Sequence, residues 1–256
     1  MNNKDFAKKS LGQNFLSDDN IKRKIIHACQ LSKDDFVLEI GPGLGALTKD
    51  IAIGVKSITA VEKDVRLCGH LVILLDDYKN LILINEDILK FKITQKNTKV
   101  VGNIPYNISS PIIEHLINQR DKISVIYISL QKELARRIIA KPGGKDYSSF
   151  SLFVQYYTIP EIKFIIKRGS FKPQPKVDSA FVELIVRKVP AVKVKNEELL
   201  FRIIRACFNQ RRKMISNTLR DFVRADKISQ IDIDQNCRPE ELSLQDFAKI
   251  ADFVVK

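Results

Sequence analysis

The chain has 256 residues, a formal net charge of +13 and 45% apolar residues, enough to pack one large domain and a small one. Apolar runs such as Leu71 to Leu75 stop far short of the about 18 residues a membrane span requires, and Met1-Asn2-Asn3-Lys4-Asp5-Phe6 has no apolar secretion core, so a soluble, cytoplasmic protein with no membrane partner is expected. The basic balance fits a polyanionic partner whose phosphates exchange counterions for Lys and Arg, although lysine-rich solubility explains it equally well.

Cys29, Cys68, Cys207 and Cys237 form no C-x-x-C pair, and His27, His70 and His115 stand alone, so reduced thiols and no metal site are expected. At the N-terminus, Lys8 to Asp18 mixes basic and small polar residues around Phe15 and Leu16. Read alone, this stretch fits a disordered basic arm. Helical periodicity begins at Asn20 and runs to Cys29, with Ser17 or Asp18 as N-cap.

Asp35 to Ile40 reads as a buried strand, followed by Gly41-Pro42-Gly43-Leu44-Gly45 and an amphipathic helix from Ala46 to Ile53. Glycines in such a strand-turn-helix let the backbone approach a nucleotide-like ligand closely, although structural turns use the same pattern. Ser57 to Glu62 is the next strand, and Glu62 stands 21 residues beyond Gly41, where an acid grips ribose hydroxyls in Rossmann-like folds. Leu81 to Asn85 is a third strand, with Asp87 just beyond it. Glycines and acids at successive strand ends line one crevice of a parallel sheet. The G-x-G-x-G spacing departs from the G-x-G-x-x-G of dinucleotide binders, which argues against a dinucleotide oxidoreductase.

Lys99 to Gly102 is the fourth strand and delivers Asn103-Ile104-Pro105-Tyr106 to that crevice. The Asn103 side-chain oxygen and a carbonyl of the turn can accept both hydrogens of an exocyclic amine while Tyr106 covers its ring, which suits an amino-bearing nucleobase. An ordinary Asn/Pro turn with a half-buried tyrosine is the structural alternative. Ser109-Ser110-Pro111 reads as the cap and first turn of a helix over Ile112 to Asn118. A strand over Lys122 to Leu130, a charged helix bearing Lys132, Glu133, Arg136 and Arg137, and a helix from Ser148 or Ser149 to Tyr157 follow. Glu161 to Lys167 and Ala180 to Arg187 are the last strands. Between them Phe171-Lys172-Pro173-Gln174-Pro175-Lys176-Val177-Asp178-Ser179 is too proline-spaced for regular structure. Beyond Val189 the pattern is helical only, which predicts domains at 1–190 and 191–256. Leu199 to Arg220 carries Arg202, Arg205, Arg211, Arg212, Lys213 and Arg220 without an acid, a bias that favours phosphate contact over a solvated mixed face. Arg238 to Phe247 reads as a capped start to the final helix.

Asn103-Ile104-Pro105-Tyr106 resembles the Asn/Asp-Pro-Pro-Tyr/Phe motif of amino methyltransferases. The whole chain is similar to the KsgA (RsmA) family of ribosomal RNA adenine dimethyltransferases, which share a Rossmann-like class I methyltransferase α/β sheet and a small all-helical C-terminal domain. The resemblance implies S-adenosyl-L-methionine as cofactor. Gln13-Asn14-Phe15-Leu16 would fold over it with Asn14 and Leu16 in contact, Gly41 and Gly43 beside its methionine part, Glu62 on its ribose and Asp87 near its adenine amine, with Asn103 also bordering it. Asn103, Ile104, Pro105 and Tyr106 would be catalytic, and Tyr106 would stack on the target base. Phe171, from a segment resembling the family's F-x-P-x-P-x-V-x-S motif, would help hold that base. Phe208-Asn209-Gln210-Arg211-Arg212-Lys213 resembles the family's signature at that point of the chain, and Arg211, Arg212 and Lys213 would bind the substrate RNA. The implied substrate is 16S ribosomal RNA in the small (30S) subunit, methylated at the N6 amines of two adjacent adenosines near its 3′ end during ribosome biogenesis, by a monomer. The alternatives are a large-subunit (23S) adenine methyltransferase of the macrolide-resistance type and a non-catalytic RNA-binding assembly factor.

Overall fold

The computed structural model describes residues 12–74 and 76–255, so Lys8 to Leu11 of the N-terminal basic stretch lie outside the described residues. In chain order come β1 (Phe15–Leu16), α1 (Asp19–Ala28), β2 (Phe36–Ile40), α2 (Thr48–Gly54), β3 (Ser57–Glu62), α3 (Val65–Leu74), β4 (Leu81–Asn85) and β5 (Thr98–Asn103). They continue as α4 (Ser109–Asn118), β6 (Ile123–Gln131), α5 (Lys132–Ile139), α6 (Ser149–Tyr157), β7 (Thr158–Ile166), β8 (Phe171–Lys172), β9 (Ser179–Val186), α7 (Glu197–Asn209), α8 (Ile215–Leu219), α9 (Ala225–Ile228) and α10 (Leu244–Val254).

Seven strands form one sheet in the order β4-β3-β2-β5-β6-β9-β7. The strands from β4 to β6 are parallel, and β9 runs antiparallel to β6. The direction in which the chain winds reverses between β2 and β5, whose last pair is Ile40 with Gly102. Such a reversal leaves a gap between the connections that leave the two strand ends, and ligands of open α/β sheets bind there. Gly102 permits the close pairing, since a Cβ at that position would stand 3.1 Å from the Ile40 carbonyl oxygen.

Compactness divides the chain into two units: residues up to Ala135 with Glu161–Val186, and Arg136–Pro160 with Arg187–Lys256. Segment 136–160, which the sequence pattern had left within 1–190, therefore packs with the C-terminal helices. In the first unit, buried Ile25, Val37, Ile51, Ile58, Val101 and Phe181 form a single apolar cluster. In the second, α7 turns Leu200, Ile203, Ile204 and Cys207 inward, and the Phe208 ring bridges Tyr147 and Phe247.

Local signals set most element boundaries. Asp18 caps α1 through the N–H groups of Asn20 and Ile21, Ser148 caps α6, and Ser243 caps α10. Three expectations need correction. The glycine turn is longer than its spacing suggests, so α2 starts at Thr48 rather than Ala46. Ser109 and Ser110 lie inside α4, because a 3₁₀ turn over Tyr106–Ile108 already begins the winding and the Ser109 hydroxyl bonds back to the Pro105 carbonyl at 3.0 Å. Phe171 and Lys172 are a short strand after all, paired antiparallel with Leu16 and Phe15.

Candidate active site

One cavity opens at the carboxyl ends of β2, β3 and β5, lined by residues 12–16, 39–44, 61–63, 86–88 and 103–108. It brings together Asn14, Leu16, Gly41, Gly43, Glu62, Asp87, Asn103, Ile104, Pro105 and Tyr106. The sheet does this work, because register places Ile40 beside Val61 on one flank and Gly102 on the other.

On the β2–β3 side, Gly43 holds φ +61° and a Cβ there would meet the Phe15 ring at 3.1 Å, so the turn packs directly under β1. The Gly43 N–H donates to Glu62 Oε2 at 3.2 Å, and the Asp64 N–H donates to Oε1 at 2.8 Å. Burial raises the Glu62 carboxyl above its ordinary range, and those N–H bonds pull the other way. Asp64 is itself buried and held down to about 2, first by hydrogen bonds from Arg66, which grips it at 2.6 and 3.1 Å. The Gln13 amide donates to the same carboxylate at 3.3 Å, tying residues 12–16 to the end of β3. Asp87 accepts from Lys63 Nζ at 2.7 Å and from the Leu89 N–H at 3.1 Å, and the lysine is the main reason its carboxyl is lowered.

On the β5 side, Pro105 ends the strand, since proline offers no ladder donor and biases Ile104 away from helix. Asn103, opposite Ser129 of β6, donates its side-chain Nδ2 to the Asn14 carbonyl at 2.9 Å. That bond commits Oδ1 to the opposite direction, as an acceptor. The Pro105 carbonyl is already engaged by the Ile108 N–H at 3.3 Å and by the Ser109 hydroxyl at 3.0 Å. The Tyr106 hydroxyl lies 2.5 Å from Ser179 Oγ, and burial raises its pKa above the usual phenol value.

Phe171 does not join this group. It is 1% exposed within the core cluster, next to Leu16 across the β1–β8 pair, and leaves no ring face for a base. Arg211, Arg212 and Lys213 belong to the second unit and sit in the turn after α7, not on a helix. Arg211 is ion-paired with Glu240 and donates to the Lys145 carbonyl at 2.9 Å, whereas Arg212 and Lys213 are exposed.

The residue that sequence reasoning passed over is Glu39. It is 2% exposed in the cavity wall, its Oε2 accepts no well-aligned hydrogen bond, and the Thr48 hydroxyl stands beside the carboxyl. Burial lifts its carboxyl to about 8 against the opposing pull of the nearby Thr48 hydroxyl, with the Glu62 charge adding to the rise. A lone acid in the otherwise apolar Phe36–Ile40, one residue before the end of the strand and the glycine turn, was the available signal.

The description of ribosomal RNA adenine dimethylase fits residues 4–256 of this chain as a family model. The chain belongs to that family. Among curated relatives of this dimethylase, the ribosomal RNA small subunit methyltransferase A of Geobacillus sp. (strain WCH70) is 42% identical over 262 residues, 95% of this chain and 90% of the relative. The protein of the same name from Bacillus pumilus (strain SAFR-032) is 40% identical over 267 residues, 97% and 91% of the two chains. Of solved structures, a dimethyladenosine transferase from Plasmodium falciparum superposes with a TM-score of 0.80 at 28% identity over 92% of this chain and 95% of that one. The 23S rRNA methyltransferase ErmE superposes with a TM-score of 0.77 at 25% identity, covering 95% of this chain and 100% of that one. The Rossmann-like methyltransferase α/β sheet expected from the sequence is thus the fold observed. Among the described residues, no helix is long and apolar enough to cross a membrane.

Proposed function

We propose that this dimethylase uses S-adenosyl-L-methionine to methylate the N6 amines of two adjacent adenosines near the 3′ end of 16S ribosomal RNA, acting on the small subunit as a cytoplasmic monomer. The observation that carries this reading is the orientation of Asn103. Its nitrogen is held by the Asn14 carbonyl, so its oxygen is the end presented to an amine.

An adenine N6 lone pair is delocalised into the ring and is a poor nucleophile. Two acceptors on its hydrogens localise it and aim it. Asn103 Oδ1 is one. The second is the Ile104 carbonyl rather than that of Pro105, whose two lone pairs already serve Ile108 and Ser109. Tyr106 stacks on the base. No strong general base is required, because the methylated nitrogen, once positive, loses its proton readily to water.

The crevice also suits the cofactor, which when bound supplies a methyl group activated by the sulfonium charge. Gly41 has open space where a Cβ would stand, Gly43 brings backbone to the wall, and Glu62 is fixed by two N–H bonds at the β3 end. We assign Gly41 and Gly43 to its methionine part, Glu62 to the ribose, Asp87 to the adenine amine, and Asn14 and Leu16 to the cover. Arg212 and Lys213 in the second unit are assigned to RNA phosphate.

The likeness to ErmE supports a second reading, methylation of large-subunit RNA. The two separate in one assay. Incubation with labelled S-adenosyl-L-methionine and isolated small or large particles should put N6,N6-dimethyladenosine into small-subunit RNA. Label in large-subunit RNA alone would favour the second reading, and label in neither would leave an RNA-binding assembly factor.

A further inference from the structure

The proline-spaced segment 171–179 meets a residue of the cavity wall, but through its last residue rather than its first. Ser179 opens β9 opposite Gln131 of β6 and has no exposed surface. Its hydroxyl lies 2.5 Å from that of Tyr106, a cavity-lining residue 73 positions earlier in the chain. At its other end the Tyr106 ring hangs from the 3₁₀ turn that Pro105 starts, a turn closed by the Ile108 N–H on the Pro105 carbonyl. A phenol held at its backbone end by a turn and at its hydroxyl by a buried strand residue cannot pivot about its side-chain torsions without breaking that bond.

We propose that Ser179 is a positioning residue for methyl transfer, anchoring the Tyr106 hydroxyl so that the ring meets the extruded base at one fixed tilt. This rests on the function proposed above. The tilt matters because in-line attack is sensitive to small angular errors in the bound base. Affinity for the particle rests on phosphate contacts elsewhere, so loss of the anchor lowers the fraction of bound bases correctly aimed without weakening binding. Ser179 therefore acts on kcat and leaves KM alone.

The test is a double-mutant cycle with Ser179→Ala, Tyr106→Phe and the pair, assayed on small-subunit particles, with affinity for S-adenosylhomocysteine measured by calorimetry. Each single variant should lower kcat about 5-fold, the worth of one hydrogen bond, with particle KM and calorimetric affinity unchanged. The pair should be no slower than either single variant. Losses that multiply, or Tyr106→Phe at the full rate, overturn the inference. Should Ser179→Ala fail to fold, Tyr106→Phe removes only one oxygen and decides alone: a kcat loss at constant KM supports the anchor, and a full rate refutes it. Tyr106→Ala at the wild-type rate would instead remove the proposed function beneath it, and the inference with it.

Discussion

Two proline-interrupted stretches flank the same sheet, Asn103-Ile104-Pro105-Tyr106 after β5 and Phe171-Lys172-Pro173-Gln174-Pro175 after β7, and each offers an aromatic ring suited to a base. Only one places its ring in the cavity wall. Phe171 comes before its prolines, at a point where the chain still pairs with β1, and the pairing turns the ring into the core. Tyr106 comes after its proline, beyond the last ladder pair of β5, and lines the cavity. What separates them is packing: a ring whose faces are already covered by the protein's own core has none left for a ligand.

The strongest way to break this contrast is at Phe171. If the ring is core, Phe171→Ala should cost ~3–5 kcal/mol of stability in equilibrium urea unfolding. Phe171→Leu, which keeps most of the volume, should transfer methyl groups within about 2-fold of wild type. A Leu variant that is stable but about 100-fold slower would return the ring to the base. Next in size is Asn103→Ala, which removes an acceptor and should lower kcat by about 10²–10³-fold, the usual cost of one preorganised hydrogen bond to the reacting group. Calorimetry with S-adenosylhomocysteine should show a much smaller loss, through the missing bond to the Asn14 carbonyl. Equal losses in both measurements would make Asn103 a cofactor residue only.

What could be read in advance follows the same division. The order of strands and glycines in the first unit was legible because each strand end is local: Ile40 followed by Gly41, Glu62 closing β3, Asn103 closing β5. Parallel pairing then brings those ends together without further information. The partners of Phe171 and Arg211, Leu16 and Glu240, were not legible because they stand far away in sequence, and no pattern near Phe171 or Arg211 names them. Ser179 was hidden for the same reason, since Tyr106 lies 73 residues away. Segment 136–160 groups with the second unit, where the Tyr147 hydroxyl bonds to the Leu242 carbonyl at 3.1 Å and the Gly143 N–H to the Glu240 carbonyl, long-range closures that helical periodicity does not encode.

Glu39 sharpens the contrast as a buried acid in the cavity wall with only the Thr48 hydroxyl set against its burial. Its folded pKa of about 8 lies above the ordinary carboxyl value of 4.5, so the protonated form is the one the fold favours. The native protein therefore holds a proton that the unfolded chain has lost, and stability falls as pH rises from about 4.5 through about 8. Glu39→Gln, neutral at every pH, should gain up to about 5 kcal/mol over wild type above pH 8 and almost nothing near pH 4.5. Thermal melts across that range read the difference, and a gain independent of pH would mean the carboxyl is not shifted.

The smallest effect is expected where engaged and available groups are neighbours in the chain. Arg211 is committed to Glu240 and the Lys145 carbonyl, while the adjacent Arg212 is exposed. Each phosphate that an arginine neutralises releases a counterion and adds roughly 0.9 to the slope of log affinity against log salt. Arg212→Ala should thus flatten the salt dependence of small-subunit RNA binding by about 1, weakening it similarly for all sequences. Arg211→Ala should leave that slope alone and lower the thermal midpoint slightly, because a half-exposed ion pair is worth ~0–1 kcal/mol. Binding titrations at several salt concentrations separate the two outcomes. A reversed result, with the slope moving at Arg211 and not at Arg212, would mean that RNA draws Arg211 away from Glu240 and that engagement in the protein alone does not predict which residues bind.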